Sequence, residues 1–245
     1  MNLNEWVLAH VQDLFGLGWL LVCWWGYSVF SRRRARHVFC ISSVLHQYRK
    51  RWMSNLLRRD NRIADASLLN NLERNASFLA STSLFIIAGL VTGIASSEQL
   101  HAILPTLPFA VPTDAISVQF KLIVVLLIHI YAFFTFTWSM RQYGFCAVLL
   151  GAAPLDKDPD LDGATGKNYV RFMSKVIDRA GHTYNQGLRA FYFSLAVLAW
   201  LLNIWVFLLA AAFTVLILYR REFHSKTLDA MIGVSTLELN ELSKM

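Results

Sequence analysis

The sequence predicts an all-α, polytopic membrane protein with four transmembrane helices and further amphipathic helices on the cytoplasmic side. Hydrophobic residues make up 56% of the 245 residues and charged residues 16%, whereas soluble proteins carry about a quarter charged residues. The charges are also missing in blocks, because four long apolar runs contain almost none of them. Such runs are expected where lipid rather than water surrounds the chain.

An apolar run of about 20 residues is long enough to cross a bilayer as a helix. Four runs meet this requirement, and the predicted spans cover residues 7–30, 78–97, 120–150 and 191–219. The first run lacks the basic start and the small-residue cleavage site of a signal peptide, so we expect it to be retained. We therefore expect one integral-membrane domain over residues 1–245.

Lysine and arginine residues are distributed unevenly among the predicted connections. Eleven lie in residues 31–77, and none lies in residues 98–119 or in residues 1–10. Because cytoplasmic connections carry the excess of Lys and Arg, the first loop is predicted to be cytoplasmic. Four spans then place both termini outside, although the tail begins with the basic residues Arg220, Arg221 and Lys226.

Two connecting segments have the spacing of amphipathic helices. The first, over residues 35–57, combines an apolar stripe with flanking arginines and lysines, so we expect it on the inner leaflet or docked under the bundle. The second precedes the fourth predicted span. The two stripes are Val38, Ile41, Leu45, Tyr48, Trp52 and Leu56, and then Phe172, Met173, Val176, Ile177, Ala180 and Tyr184.

Several short motifs resemble a known family. They are Arg62-Ile63-Ala64-Asp65, Phe78-Leu79-Ala80-Ser81-Thr82-Ser83, the segment from Phe133 to Gln142, the segment from Asn185 to Phe193, and Arg220-Arg221-Glu222-Phe223. Together they resemble a bacterial integral-membrane family known as domain of unknown function 599, over nearly the whole chain. The resemblance implies a single domain in the bacterial inner (cytoplasmic) membrane and implies no activity.

Asp13 and Lys121 are charged residues within or beside predicted spans, at similar depths near the external face. An unpaired charge inside a transmembrane helix costs roughly 3 kcal/mol on insertion scales, so we expect the two to pair or to face one polar cavity. The structural interpretation is a salt bridge between helices, or snorkelling of Lys121 to the headgroups. The functional alternative is the entrance of a proton or ion path.

His129 is the histidine nearest to a predicted bilayer midplane. A bis-histidine haem needs a second histidine at matching depth on a facing helix, and the other spans offer none. We therefore expect a buried, hydrogen-bonded histidine, and quinone binding beside it stays open.

A second group of polar residues lies at the predicted inner headgroup level. Arg141 and Gln142 follow the bilayer crossing of the third span, and Asn185 and Arg189 precede the fourth. Two guanidinium groups with amide donors suit the phosphate of an anionic lipid, which makes these four residues the predicted ligand-binding site. The alternative is that they anchor the helix ends.

Asp158, Asp160 and Asp162 match the first half of a calcium loop and form a weak candidate metal site. The position of the bidentate glutamate is occupied by Tyr169, so a solvated acidic turn is the preferred interpretation.

Three classes of function remain open. The preferred one is a non-enzymatic membrane protein that binds anionic lipid or a protein partner through its basic cytoplasmic helices. The alternatives are a small oligomeric transporter or channel, and a membrane enzyme acting on lipid or quinone. The absence of clustered His, Asp or Glu weighs against an enzyme. We expect no cofactor and no nucleic-acid partner, and leave open a homo-oligomer or a membrane-protein partner.

Overall fold

The computed structural model describes residues 11–35, 37–106, 110–111, 113–155 and 163–242, and residues 235–242 by their backbone alone. All regular secondary structure in these ranges is helical, which confirms the all-α prediction. The helices are α1 (Val11–Arg34, with a π-helical turn at Val22–Gly26), α2 (Ile41–Leu57), α3 (Ile63–Ala95), α4 (Ser97–Ile103, followed by a 3-10 turn at Leu104–Thr106), α5 (Ala115–Gly151), α6 (Ala164–Trp200), α7 (Ile204–Phe223) and α8 (Lys226–Leu242).

Four stretches of helix in the described ranges are long and apolar enough to cross a membrane, as predicted. They are Val11–Arg34, Ile63–Ala95, Ala115–Gly151 and Ile204–Val234. Large apolar side chains on α3, such as Phe78 and Phe85, are exposed. Their exposure is the pattern expected of a helix that faces lipid. Residues 7–10 of the first predicted span lie outside the described ranges.

Contacts divide the chain into two compact units. Residues 1–28, 74–139 and 182–215 form the bundle unit, and residues 29–73, 140–181 and 216–245 form the basic unit. The helices α1, α3, α5, α6 and α7 each have residues in both units. The prediction of a single domain is not tested by this division and stays a prediction.

In the bundle unit, α5 and α6 pack closely through buried side chains, among them the ring of Phe136, which contacts Tyr184 and Phe191. A residue without a side chain favours such a close approach. Gly187 is an example, because a Cβ at this position would lie 2.6 Å from the ring of Phe136. The helix α3 is much less buried, since only 11% of its most apolar 18-residue stretch lies inside the protein.

The fourth predicted span, residues 191–219, is not one helix, and this prediction is corrected. The chain turns at residues 201–203 between α6 and α7. Asn203 starts the new helix, because its side-chain oxygen accepts a hydrogen bond from the Trp205 backbone N–H at 2.9 Å. The carbonyl of Leu202 is satisfied by the backbone N–H of Val111 at 2.9 Å. The apolar run of residues 191–219 therefore contains a turn whose polar backbone groups are hydrogen-bonded.

The basic unit has its own apolar core, formed by α2, the first turns of α3, the last turns of α5 and the first half of α6. Its buried members include Met53, Leu56, Leu69, Cys146 and Ile177. The amphipathic character of α2 is thus confirmed.

The start of α2 differs from the prediction, because the helix begins at Ile41 and not at residue 35. Ser43 accepts a hydrogen bond from the Cys40 backbone N–H at 3.0 Å, and this local cap fixes the helix start. Val38, which was assigned to the apolar stripe, precedes the helix and is exposed.

The tail packs against the first loop within the basic unit. The hydroxyl of Tyr48 on α2 donates a hydrogen bond to the Met231 carbonyl of α8 at 2.9 Å. The Ser42 backbone N–H donates to the Glu222 carboxylate at 3.2 Å. These contacts place the tail beside the first loop, whereas the four-span prediction puts the two on opposite sides of the membrane. The orientation of the termini stays a prediction.

Candidate functional site

A cleft of about 800 Å³ lies in the basic unit between α2 and the first turns of α6. We call it the basic cleft. Among the residues that the structure describes, its lining includes a leucine and a valine but no carboxylate. Six basic side chains line it: His46, Lys50, Arg51, Arg58, Lys167 and Arg171. The concentration of positive charge makes this cleft the strongest candidate for binding an anion.

The helical repeat explains how these side chains come together. On α2 the apolar residues Met53 and Leu56 are buried in the core, which leaves Lys50 and Ser54 on the face that lines the cleft. On α6, Lys167 and Arg171 are four residues apart and therefore lie on one face. Like charges at this spacing repel each other by roughly 0.2–0.5 kcal/mol, a cost that an anion placed between them would offset.

The beginning of α6 adds a favourable backbone dipole. The helix starts at Ala164, and Gly166 in its first turn is part of the cleft lining. The first N–H groups of a helix have no partner within the helix and carry partial positive charge. The backbone and the side chains at this end of the cleft therefore both favour a negatively charged ligand.

One wall of the cleft is fixed by Asp178 of α6. Its carboxylate pairs with His46 and with the Arg49 guanidinium, the latter at 3.0 Å. Gly181 makes room for this pair, since a Cβ there would lie 2.5 Å from Arg49 Nη2. These contacts hold α2 against α6 and so set the width of the cleft.

The Arg62-Ile63-Ala64-Asp65 motif has a structural role in the basic unit. Asp65 is fully buried, and its Oδ1 accepts hydrogen bonds from Trp52 Nε1 and Arg59 Nη1, each at 2.6 Å. Arg62 donates to the carbonyls of Ala153 and Pro154. The motif therefore ties the start of α3 to α2 and to the chain that follows α5.

Tyr169 makes a similar connection inside the basic unit. Its hydroxyl donates a hydrogen bond to the Leu149 carbonyl of α5. Burial raises the pKa of this hydroxyl, so it remains a donor at neutral pH.

The four residues of the predicted lipid site are divided between the two units. In the basic unit, Arg141 is exposed with its guanidinium 5.8 Å from the Phe145 ring centre, whereas Gln142 is buried. In the bundle unit, Asn185 is half-buried, and the Arg189 guanidinium lies 5.2 Å from the ring centre of Tyr27. Their association as one site stays a prediction.

Asp13 and Lys121 come together in the bundle unit, which confirms their predicted pairing. Lys121 Nζ lies 3.6 Å from Asp13 Oδ1, and Ser117 donates a hydrogen bond to Asp13 Oδ2 at 2.6 Å. All three residues are buried and line a second cavity.

His129 is buried and hydrogen-bonded, as predicted. Its Nδ1 lies 2.9 Å from the Val125 carbonyl oxygen, so this nitrogen carries the proton and donates. Ser194 Oγ is 3.5 Å from Nε2, and the Phe191 ring packs edge-on against the imidazole. The candidate calcium ligands Asp158, Asp160 and Asp162 lie outside the described ranges, so that prediction stays untested.

Sequence reasoning identified the basic stripe of α2 but not its partner on α6. The available signal was the four-residue spacing of Lys167, Arg171 and Lys175. It does not distinguish a ligand site from a solvated helix face, because the difference depends on which helix packs opposite.

The helical architecture and the four apolar stretches are typical of a helical membrane protein. Residues 15–227 match the DUF599 family, which is described as a family of proteins of unknown function. The chain belongs to this family, and the match runs through both units. No curated protein and no solved structure matches the sequence significantly.

Proposed function

We propose that this protein is a bacterial inner-membrane protein that binds a phosphate-bearing anion in the basic cleft. A lipid headgroup and a soluble phosphate compound present the same chemistry to the cleft. The observation that carries the proposal is a cleft of about 800 Å³ lined by six basic side chains, with no carboxylate in the part of its lining that the structure describes. The role is binding rather than catalysis.

The chemistry of the cleft favours phosphate over a carboxylate ligand. Arg51, Arg58 and Arg171 offer planar groups that match phosphate oxygens in pairs, and Lys50 and Lys167 add point charges. Anionic lipids are abundant at the cytoplasmic surface of a membrane and attract basic segments beside a span. A lipid headgroup is therefore the preferred source of the phosphate.

The proposed topology has five crossings, with the N-terminus outside and the first loop, the second loop and the tail in the cytoplasm. Its support is the contact of the tail with the first loop and the turn at residues 201–203. Residues 182–200 of α6 supply the fifth crossing. Their face with Ala190, Phe193 and Val197 is buried. A shielded helix needs fewer apolar residues than one that faces lipid.

The test removes two charges from the cleft and compares the result with the loss of two charges elsewhere. Lys50→Gln with Lys167→Gln alters the lining, whereas Lys175→Gln with Lys226→Gln removes the same charge from exposed sites of the basic unit outside it. Native mass spectrometry of the purified full chain measures retained anionic phospholipid. We expect the cleft variant to lose at least about tenfold in retained lipid, and the control variant to keep it.

A second arm distinguishes lipid from soluble phosphate. Delipidated protein is titrated with inorganic phosphate, pyrophosphate and a short-chain phosphatidylglycerol, and the thermal midpoint is followed. A rise with the lipid alone assigns the cleft to lipid, whereas a rise with pyrophosphate alone assigns it to a soluble ligand. Equal lipid retention and equal midpoints in the cleft and control variants would exclude the cleft as an anion site.

The site of Arg141, Gln142, Asn185 and Arg189 remains a prediction of a further lipid contact. Oligomeric transport and an enzyme of lipid or quinone also remain predictions, and no contact among the described residues favours either of them over binding.

A further inference from the structure

The bundle unit contains a second cavity, of about 360 Å³, beside the turn between α6 and α7. We call it the Asp13–Lys121 cavity. Its lining includes a buried ion pair, a buried tryptophan and a rim of polar residues. The residues that matter here are Asp13, Asp114, Lys121, Trp200, Asn203 and Trp205. The volume is at the lower end of the range of pockets that hold small molecules, about 300–1,000 Å³.

Trp200 brings an unused hydrogen-bond donor to this cavity. Its side chain is 1% exposed, and its Nε1–H has no acceptor among the described residues. Close neighbours restrict rotation of the ring, because it lies against Gly16, contacts the Phe120 ring edge-on, and stacks on Phe207 with the ring centres 4.7 Å apart. A buried donor without an acceptor is destabilising unless something in the cavity satisfies it.

Lys121 brings a charged donor to the same cavity. Its ammonium group lies 6.0 Å from the Trp200 ring centre, and the residue is 4% exposed. The distance of 3.6 Å to Asp13 Oδ1 is longer than an N–H···O hydrogen bond. The ammonium group therefore retains donor capacity for an additional acceptor, although Asp13 compensates its charge.

The rim of the cavity favours a positively charged group, whereas Trp200 and Lys121 favour an acceptor. Asp114 and Trp205 are both exposed where they line the cavity. A carboxylate and the face of an indole both attract an ammonium group. Asn203 uses its side-chain oxygen to cap α7, so its amide N–H groups remain as donors at the cavity.

We infer that the Asp13–Lys121 cavity binds a small zwitterion of the amino-acid or betaine class. The ligand carboxylate accepts from Trp200 Nε1–H and from Lys121, and the ligand ammonium group lies toward Asp114 and Trp205. A simple anion is repelled by Asp114, and a simple cation leaves the Trp200 Nε1–H without an acceptor. This site lies in a different unit from the basic cleft and does not depend on the anion-binding proposal.

The first experiment varies the ligand and uses the wild-type full chain in nanodiscs. Isothermal titration is carried out with the twenty common amino acids and glycine betaine, and then with carboxylates lacking the amine and amines lacking the carboxylate. We expect at least one zwitterion to bind, and both of its single-charge analogues to bind about tenfold or more weakly. Absence of binding by every zwitterion, or equal binding by a single-charge analogue, would overturn the inference.

The second experiment removes the donor and keeps the ring. Trp200→Phe deletes the indole N–H, whereas the control Trp19→Phe deletes one that already donates to the Leu208 carbonyl at 3.3 Å. We expect the Trp200 variant to bind the zwitterion about tenfold more weakly, and the Trp19 variant to bind it like the wild type. Wild-type affinity in a folded Trp200→Phe variant contradicts the assignment. The analogue series decides the question if that variant does not fold.

Discussion

Single residues with charge inside apolar runs were the most informative features of the sequence. Asp13 and Lys121 are separated by more than 100 positions, yet the cost of an isolated charge in lipid predicted that they would meet, and they do. The details of their surroundings were not predictable. The contribution of Ser117, and the indole N–H of Trp200 that has no acceptor in the described part of the chain, depend on how α1, α5 and α6 pack.

The ion pair makes a testable prediction about coupling. Lys121→Met alone should destabilise the protein by about 3 kcal/mol, because it leaves the Asp13 carboxylate buried without its counter-charge. The double variant with Asp13→Asn should be less destabilised than that single variant. Thermal and denaturant unfolding in detergent measure the cycle, and additive effects would show that the two residues do not interact.

Close packing at Gly187 makes a second prediction. Gly187→Ala places a methyl group against the buried ring of Phe136 and should destabilise the protein by at least about 1 kcal/mol. Gly144→Ala is the matched control, because it is also inside a helix but has open space around its Cβ. The control should be neutral or stabilised by up to about 1 kcal/mol. Equal thermal midpoints for the two variants would refute the packing argument.

At the level of elements, the apolar runs predicted α1, α3 and α5, because these helices carry apolar residues over the length of a bilayer. The boundary between α6 and α7 was missed. Residues 191–219 read as one run, and the single polar residue Asn203 is a weak signal of a capped turn. The proposed crossing by residues 182–200 of α6 was also not apparent, since the polar residues Asn185 and Arg189 lower the mean hydropathy of this segment.

The junction of α2 and α3 makes the third prediction. Asp65→Asn weakens the hydrogen bonds that Asp65 accepts from Arg59 and Trp52, and should destabilise the protein by about 2 kcal/mol. Asp60→Asn, five residues earlier and exposed, removes the same charge and should leave stability almost unchanged. Calorimetry of both variants measures the difference. Equal unfolding temperatures for Asp65→Asn and Asp60→Asn would mean that the Arg62–Asp65 motif does not hold α2 in place.

At the level of the whole molecule, the distribution of charge follows the two units. Of the 23 lysine and arginine residues, only Arg74, Lys121 and Arg189 belong to the bundle unit. The basic tail residues, which contradicted the positive-inside rule under four crossings, agree with it under five. The sequence contained this conflict, and the proposed fifth crossing, which depends on the turn at residues 201–203, would remove it.

Cysteine accessibility in intact cells tests the central claim, which is that the first loop and the tail share the cytoplasmic side. Single cysteines replace the exposed residues Asn61, Thr227 and Gln99 in a background without Cys23, Cys40 and Cys146. A membrane-impermeant maleimide should label position 99 in intact cells, and positions 61 and 227 only after lysis. Labelling of position 227 but not 61 in intact cells would contradict the five-crossing account.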